Sequence, residues 1–297
     1  MTNEPKTPVF FSPTSDWGFK RLFGTPSNER LLIYLLNTII EERTIVKATF
    51  LNTEHNYMNV KKGRSTFDVY CICDDDSRII VECQTSDEGN FLDRAFVYSS
   101  LAVLDQAKPH WDYNLDALYF VAFLTYNQFK GNDKCITKAK LMDIDVPGRV
   151  VYNNYLQIFV ELPKFVSNDK ELNSARDQLL YILKNLRNMT GIPGWVENGQ
   201  NETLKDICQT ALFDQLSTKE KDEYMLTEEK ERIYQRSIEY AAKVNRDEGR
   251  EEGRAEGEAK GRSDSKLEIA RAMKAKGLDV AMIAECTGLT EEQIKEL

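Results

Sequence analysis

The chain has 297 residues, of which 41% are hydrophobic and 29% charged, so it can form one large domain or two modest ones. Its net charge of −9 argues against a protein that coats nucleic acid broadly, and residues 1–190 carry only −2 of it. No apolar run approaches the roughly 18 residues that span a bilayer, and the first residues lack the apolar core of a signal peptide. The six cysteines form no disulfide pattern, so we expect a cytoplasmic protein that does not associate with membranes.

Two helices and a strand are predicted at the start of the chain. Ser15 or Asp16 is the N-cap candidate of the first helix. Asp16 and Lys20 are four residues apart and therefore share one side of that helix, where a surface ion pair is the simplest interpretation. The second helix covers about residues 28–40, with leucines at helical spacing, and a strand follows at about residues 46–58.

A hairpin is predicted between Ser65 and Gln84. Its strand residues are β-branched, aromatic or small and apolar, and an acidic turn separates them. Alternation places Asp68 on one face of the first strand and Phe67 on the other face, with the cysteines of that strand. Glu82 and Gln84 share a face of the second strand. Because both faces are largely apolar, we expect the hairpin to lie inside a sheet that is covered on both sides.

One register of this hairpin places two carboxylates opposite each other. If Asp68 faces Glu82, residues 74–76 form a three-residue loop, which is a common hairpin connection. The two Cβ atoms are then roughly 4.5–5.5 Å apart. Carboxylates that close repel each other unless a cation or proton lies between them, and a hard divalent ion is the natural candidate. A solvated hairpin whose acids face water is the alternative.

The next elements complete an α/β pattern. A helix is predicted at about residues 90–108, and Arg94 and Tyr98 share one of its faces because they are four residues apart. Its predicted apolar positions are Leu92, Phe96, Leu101 and Leu104. Strands at about residues 116–126 and 155–162 and a helix at about 171–187 follow. This order is typical of an α/β fold, with a mixed sheet flanked by helices.

The region after residue 190 is predicted to be helical throughout. We expect an α/β domain at 1–190, a helical extension at 191–248, and a small helix-turn-helix-like module at 265–297. Between them, residues 249–264 carry a glycine at every fourth position. Each glycine costs a helix about 1 kcal/mol relative to alanine, which favours a charged linker over a helix with close neighbours. The acidic end of the last module favours a protein-contact or capping role over DNA reading.

The chemistry that these residues permit is limited. Two histidines leave little room for a Ser-His or Cys-His triad, and no glycine-rich phosphate loop is present. Cys71, Cys73 and Cys83 lie on the faces opposite to the carboxylates, so we interpret them as small core residues. The carboxylate pair and the nearby amide of Gln84 remain, and they fit metal-assisted phosphodiester hydrolysis.

Several of these patterns together resemble the Rpn family of recombination-promoting nucleases. Members of that family are often labelled transposases within the PD-(D/E)xK nuclease superfamily. The patterns that carry the resemblance are Asp16-x-x-Phe19-Lys20, Phe67-Asp68-Val69-Tyr70, Ile80-Val81-Glu82-Cys83-Gln84, Arg94 with Tyr98, and the closing TGLTEEQIKEL.

The resemblance implies a PD-(D/E)xK-like sheet in residues 1–190 and metal-dependent DNA cleavage linked to recombination or mobile elements. It implies that Asp68 and Glu82 hold Mg²⁺, or alternatively Mn²⁺, and that the main-chain carbonyl of Cys83 supplies a further ligand. Gln84 stands where the superfamily usually has lysine, and Gln84 has no positive charge. Lys20, beside Asp16, is the first candidate for the missing charge, and Lys61 or Lys62 is the alternative. The candidate substrate-binding residues are Arg94, Tyr98, Lys61 and Lys62.

Three functional hypotheses remain open from the sequence. The first is a DNA endonuclease whose helical tail mediates self-association. The second is a catalytically lapsed nuclease fold that acts as a DNA- or protein-binding assembly module. The third is an adaptor that works through its helical tail and uses the α/β domain only as a scaffold.

Overall fold

The computed structural model of the chain describes residues 8–56, 64–107, 112–168 and 171–297. The chain divides into two compact units, Met1–Lys230 and Glu231–Leu297. In these four described ranges, no helix is both long enough and apolar enough to cross a bilayer. The first unit is a mixed sheet flanked by helices, as predicted, and a long helical region follows it.

Two helices precede the sheet and confirm the prediction for this part of the chain. α1 (Asp16–Phe23) begins after the N-cap Ser15, whose Oγ accepts a hydrogen bond from the Gly18 amide at 3.2 Å. α2 (Glu29–Ile39) buries its leucines as their helical spacing predicts. The buried side chains of both helices belong to one hydrophobic cluster with those of the sheet, so α1 is fixed against it.

The strands of the described residues are β1 (Ala48–Phe50), β2 (Glu54–Asn56), β3 (Arg64–Thr66), β4 (Val69–Cys73), β5 (Arg78–Gln84), β6 (Leu118–Leu124), β7 (Ile136–Met142) and β8 (Val150–Glu161). Six of them form one sheet in the order β1-β4-β5-β6-β8-β7, and β2 pairs with β3 separately. β5, β6 and β8 run parallel to one another, whereas the remaining neighbours pair antiparallel. β7 was not predicted, because most of its side chains are exposed and show no apolar alternation.

The helix after the hairpin forms as predicted, but of its four predicted apolar positions only Leu101 packs, partly buried, against the cluster on the sheet. In α3 (Phe91–Leu104), Leu92, Phe96 and Leu104 are 43%, 66% and 65% exposed. The face that packs on the sheet is instead made by Phe91 and small residues, namely Ala95, Ser99 and Ala102. Small side chains let the helix axis lie close to the sheet, and this advantage outweighs the burial of the larger leucines.

The hairpin is covered on both faces, as predicted. Cys71, Cys73 and Cys83 are buried in the cluster that contains α1 and α2, which confirms them as core residues. Tyr70 lies in the second cluster, under α3. Phe67 was predicted on the face of the cysteines but lies with Tyr70, at a ring distance of 5.3 Å. It precedes β4, and a bend in the chain separates it from the strand and interrupts the alternation.

The first unit ends in helices α4 (Ala175–Asn185), α5 (Gly194–Glu197), α6 (Glu202–Thr210) and the first turns of α7 (Thr218–Ala275). α7 is one continuous helix of 58 residues that includes the glycine repeat. Residues 249–264 are therefore helical and not the flexible linker that the cost of glycine favours, but the close helix neighbour of the other alternative is not seen in the described residues. A Cβ added at any of these four glycines would meet no described atom within 4 Å.

The end of the second unit forms the predicted helix-turn-helix-like module. α8 (Val280–Thr287) stops at Gly288, whose φ of +68° suits glycine. α9 (Glu291–Glu296) begins with the predicted capping box of Thr290 and Gln293. Ala270, Ile283 and Ile294 form the small core of these helices.

Candidate active site

The β4–β5 hairpin has the register that places the two candidate carboxylates opposite each other. Val69 pairs with Val81, so Asp68 and Glu82 are the next opposed residues, and the amide of Asp68 donates to Glu82 Oε1 at 3.2 Å. At the other end, the Cys73 amide donates to Ser77 O at 2.9 Å and closes the predicted three-residue loop. The φ of +64° at Asp76 is the left-handed conformation that such a loop requires. The predicted register is confirmed.

Both carboxylates are removed from solvent. The Asp68 side chain is 9% exposed, and its Oδ2 accepts a hydrogen bond from the Cys83 amide at 2.9 Å. Burial raises the pKa of Asp68 to about 6, against the opposing effect of Lys20. Burial and the nearby charge of Asp68 hold the pKa of Glu82 well above its usual range. The positive charge near the two carboxyls therefore does not compensate their burial and mutual repulsion, and a bound cation would stabilise their ionised forms.

Helix α1 brings a lysine to the carboxylates. Lys20 Nζ is 3.2 Å from Asp68 Oδ1 and 2.5 Å from Asp16 Oδ1. Burial lowers the pKa of Lys20, but Asp68 and Asp16 raise it by more, so the net effect is an increase and the amine stays protonated. The close packing of α1 depends on Gly18, where an added Cβ would lie 1.9 Å from the carbonyl oxygen of Ser12. Asp16, Lys20 and Asp68 thus converge, although the first two are about 50 residues from the third in sequence.

Gln84 is held by the helix that follows it. Its Oε1 accepts a hydrogen bond from Arg94 Nη2, and its Nε2 donates to Ser86 O at 3.2 Å. Arg94 Nη1 is 3.1 Å from Glu88 Oε2. Arg94 is therefore beside Gln84, whereas Tyr98, one turn further along α3, packs its ring 5.0 Å from that of Phe67. Lys61 and Lys62 lie outside the described residues.

A cavity of about 440 Å³ opens beside Asp68 and Lys20. Glu220, at the start of α7, lines this cavity and pairs with Arg21 Nε at 3.1 Å. Neither the pairing of Glu220 with Arg21 nor the pairing of Glu88 with Arg94 was predicted from the sequence. The capping pair of Ser217 and Glu220 can be recognised in the sequence. The contact of Glu220 with Arg21 cannot, because the two residues are 199 positions apart. Glu88 lies four residues after Gln84, in a segment without periodic pattern.

The donor set suits a hard divalent cation better than a soft one. Among the described residues, no group of three or more His, Cys, Asp or Glu side chains is arranged to hold a metal ion. Asp68 and Glu82 offer two carboxylates, and the Cys83 thiol is directed away from them, 3.2 Å from the carbonyl oxygen of Thr14. Two carboxylates completed by main-chain oxygen or water are typical of magnesium sites. The residues present therefore fit such an ion.

Comparison with protein families places these residues in a known context. Residues 13–243 match the model of the PD-(D/E)XK nuclease family transposase. Residues 264–297 match the C-terminal HTH domain of the Rpn/YhgA-like nuclease family. Neither the comparison with curated proteins nor that with solved structures gave a match. The first match includes the hairpin, α1 and α3, and the second covers the helix-turn-helix-like module. The chain belongs to the PD-(D/E)XK nuclease family transposases and carries the C-terminal HTH domain of the Rpn/YhgA-like nucleases.

Proposed function

We propose that the chain is a DNA endonuclease that depends on a divalent cation and acts in recombination or on mobile elements. One observation carries this proposal: the nearly buried Asp68 lies opposite the buried Glu82, and Lys20 Nζ is 3.2 Å from Asp68 Oδ1. Perturbed, charge-coupled side chains beside a cavity are typical of catalytic sites. The transposase description of the matching family supports the link to mobile DNA.

In this proposal, Asp68 and Glu82 hold Mg²⁺, or alternatively Mn²⁺, together with the main-chain carbonyl of Cys83. Such an ion polarises a phosphoryl oxygen and lowers the pKa of a bound water. Lys20 remains protonated and donates to an oxygen of the scissile phosphate, where negative charge develops in the transition state. Asp16, which is 2.5 Å from Lys20, orients the amine.

The direct test is nicking of supercoiled plasmid by the purified full-length chain. We expect nicking in the presence of Mg²⁺ or Mn²⁺ and none in EDTA, because the carboxylates alone cannot activate water. Absence of nicking with either ion would contradict the proposal.

A catalytically lapsed nuclease fold that binds DNA or protein is the second candidate. It is favoured by the side chain of Gln84, whose carbonyl binds Arg94 and whose amide donates to Ser86 O. Neither of these contacts is directed at a substrate. Calorimetric titration with Mg²⁺ and Mn²⁺ separates the two candidates, since the endonuclease requires binding of one of these ions and the lapsed fold does not.

A further inference from the structure

The two terminal nitrogens of Arg94 contact acceptors of its own chain, whereas its Nε is buried and has no hydrogen-bond partner among the described residues. Nη1 contacts Glu88 Oε2 at 3.1 Å, and Nη2 donates to Gln84 Oε1. Its central carbon lies 5.2 Å from the centre of the Phe91 ring, so the ring covers one face of the group. The side chains of Arg94 and Glu88 remain 25% and 28% exposed, which leaves the pair accessible to a ligand from solvent.

These contacts determine the orientation of the Gln84 amide. A guanidinium has only donors, so the oxygen of Gln84 must face Arg94. The NH₂ group is then directed to Ser86 O at 3.2 Å and lies 3.5 Å from Glu88 Oε1. Gln84 thus holds Arg94 in place, although it stands at the position where a lysine would supply charge.

Arg94 is close enough to the carboxylates to affect them. The pKa of Glu82 is raised by burial and by Asp68, and Arg94 is among the charges that oppose this increase. Glu82 and Gln84 lie on the same face of β5, and α3 covers that face. Lys20 approaches from α1, beside Asp68. Lys20 thus contacts Asp68 from α1, whereas Arg94 on α3 contacts Gln84, two residues from Glu82.

We propose that Glu88 occupies, on Arg94, the place that a backbone phosphate of DNA takes when substrate binds. The proposal rests on the proposed nuclease function, and it assigns Gln84 as a positioning residue for Arg94. Nη1 of Arg94 can donate to a carboxylate oxygen or to a phosphate oxygen while Nη2 stays on Gln84, so this donor has a partner before and after the exchange. Glu88 lies outside any helix or strand, before Gly89 with a φ of +76°, in a segment whose movement does not break the sheet.

The test is binding of a fluorescein-labelled DNA duplex to the full-length chain in EDTA, measured by anisotropy across a salt series. Glu88→Gln keeps the size of the side chain but removes the charge that pairs with Arg94. We expect tighter binding, because the phosphate no longer has to displace a carboxylate from Arg94, and a nearly unchanged slope of log Kd against log salt, because both proteins make the same phosphate contact in the complex. Asp87→Asn is the matched control, because it removes the same charge one residue away and keeps an oxygen for the Gly89 amide.

A second set of variants tests whether the tighter DNA binding of Glu88→Gln depends on Arg94. Glu88→Gln is repeated in the Arg94→Met and Arg94→Lys backgrounds, with thermal unfolding as the check of folding. We expect the gain in affinity to vanish with methionine, which has no donor, and to shrink with lysine, whose flexible ammonium lacks the planar group that Gln84 holds in place. The proposal is overturned if Glu88→Gln binds no more tightly than Asp87→Asn, if the gain survives Arg94→Met, or if neither protein binds the duplex. Because no metal is present, these outcomes are independent of whether the chain cleaves DNA.

Discussion

We propose that the amine of Lys20 and the amide of Gln84 divide the tasks that the family resemblance assigns to a single lysine. Lys20 has the charge and contacts Asp68 at 3.2 Å, whereas Gln84 lies on β5 and binds Arg94 through its side-chain oxygen. An ammonium group can stabilise a phosphate in its transition state, and a neutral amide does so less well. The lysine function is thus expected to have moved from β5 to α1.

Substitutions at Lys20 and Gln84 test whether Lys20 on α1 supplies the charge in place of a lysine on β5. We expect Lys20→Met to lower the rate of plasmid nicking by about 100- to 1000-fold, the usual cost of losing one transition-state donor. Adding Gln84→Lys to that variant is expected to restore part of the rate, because it returns a charge to the strand position. A single-turnover assay with saturating Mg²⁺ measures both rates. If Lys20→Met retains the full rate, the charge comes from elsewhere.

The buried Glu82 predicts an unusual dependence of stability on pH. Its pKa is raised on folding, so the folded chain holds a proton that the unfolded chain releases, and stability falls as the pH rises above the ordinary value of 4.5. The amide side chain of the Glu82→Gln variant does not titrate, so this variant lacks the pH dependence that Glu82 causes. In EDTA we therefore expect this variant to melt at a higher temperature than wild type at pH 8 and at a similar temperature at pH 4. A lower melting temperature at pH 8 would show that Glu82 is ionised and stabilised by its neighbours.

At the scale of elements, the position of α1 determines whether the site is assembled. Gly18 lets α1 pack closely against the segment that precedes it, since a Cβ there would lie 1.9 Å from Ser12 O, which is main chain and cannot rotate away. Gly18→Ala is expected to stabilise the folded chain by about 1 kcal/mol through helix propensity. The clash of the added Cβ is expected to destabilise it by about 1–3 kcal/mol.

We therefore expect Gly18→Ala to lower both the free energy of unfolding and the nicking rate, because α1 also carries Lys20. Gly191→Ala is the control, since a Cβ added at Gly191 meets no described atom within 4 Å. Denaturant titration and the plasmid assay measure the two effects. Equal stability of the two variants would show that the chain near Ser12 adapts without cost.

The elements also show which features the sequence could predict. The register of the hairpin follows from alternation and from the length of its loop, which are local properties, and it is confirmed by the pairing of Val69 with Val81. The buried face of α3 could not be predicted, because the small residues Ala95 and Ala102 outcompete larger leucines only when the sheet lies close. The pair of Arg21 and Glu220 depends on tertiary packing, and the contacts of Glu88 lie in a segment without a periodic pattern, so neither could be predicted.

At the scale of the whole molecule, the two family matches cover residues 13–243 and 264–297, and α7 (Thr218–Ala275) extends through the region between them. The negative charge is concentrated after residue 190, whereas the first 190 residues are nearly neutral, so the part that carries the site repels DNA least. Self-association through the helical tail stays a prediction, which sedimentation of the full-length chain would test.

The central claim is that the cluster of Asp68, Glu82 and Lys20 cleaves DNA, and plasmid nicking by matched variants tests it most directly. Rates are compared for wild type, Asp68→Asn, Glu82→Gln and their double variant in Mg²⁺, with Lys205→Met as the surface control and thermal unfolding as the check of folding. We expect each carboxylate variant to lose at least about 100-fold in rate, since ion binding and water activation are lost together, while the control matches wild type. Nicking by the folded double variant at the wild-type rate would contradict the claim.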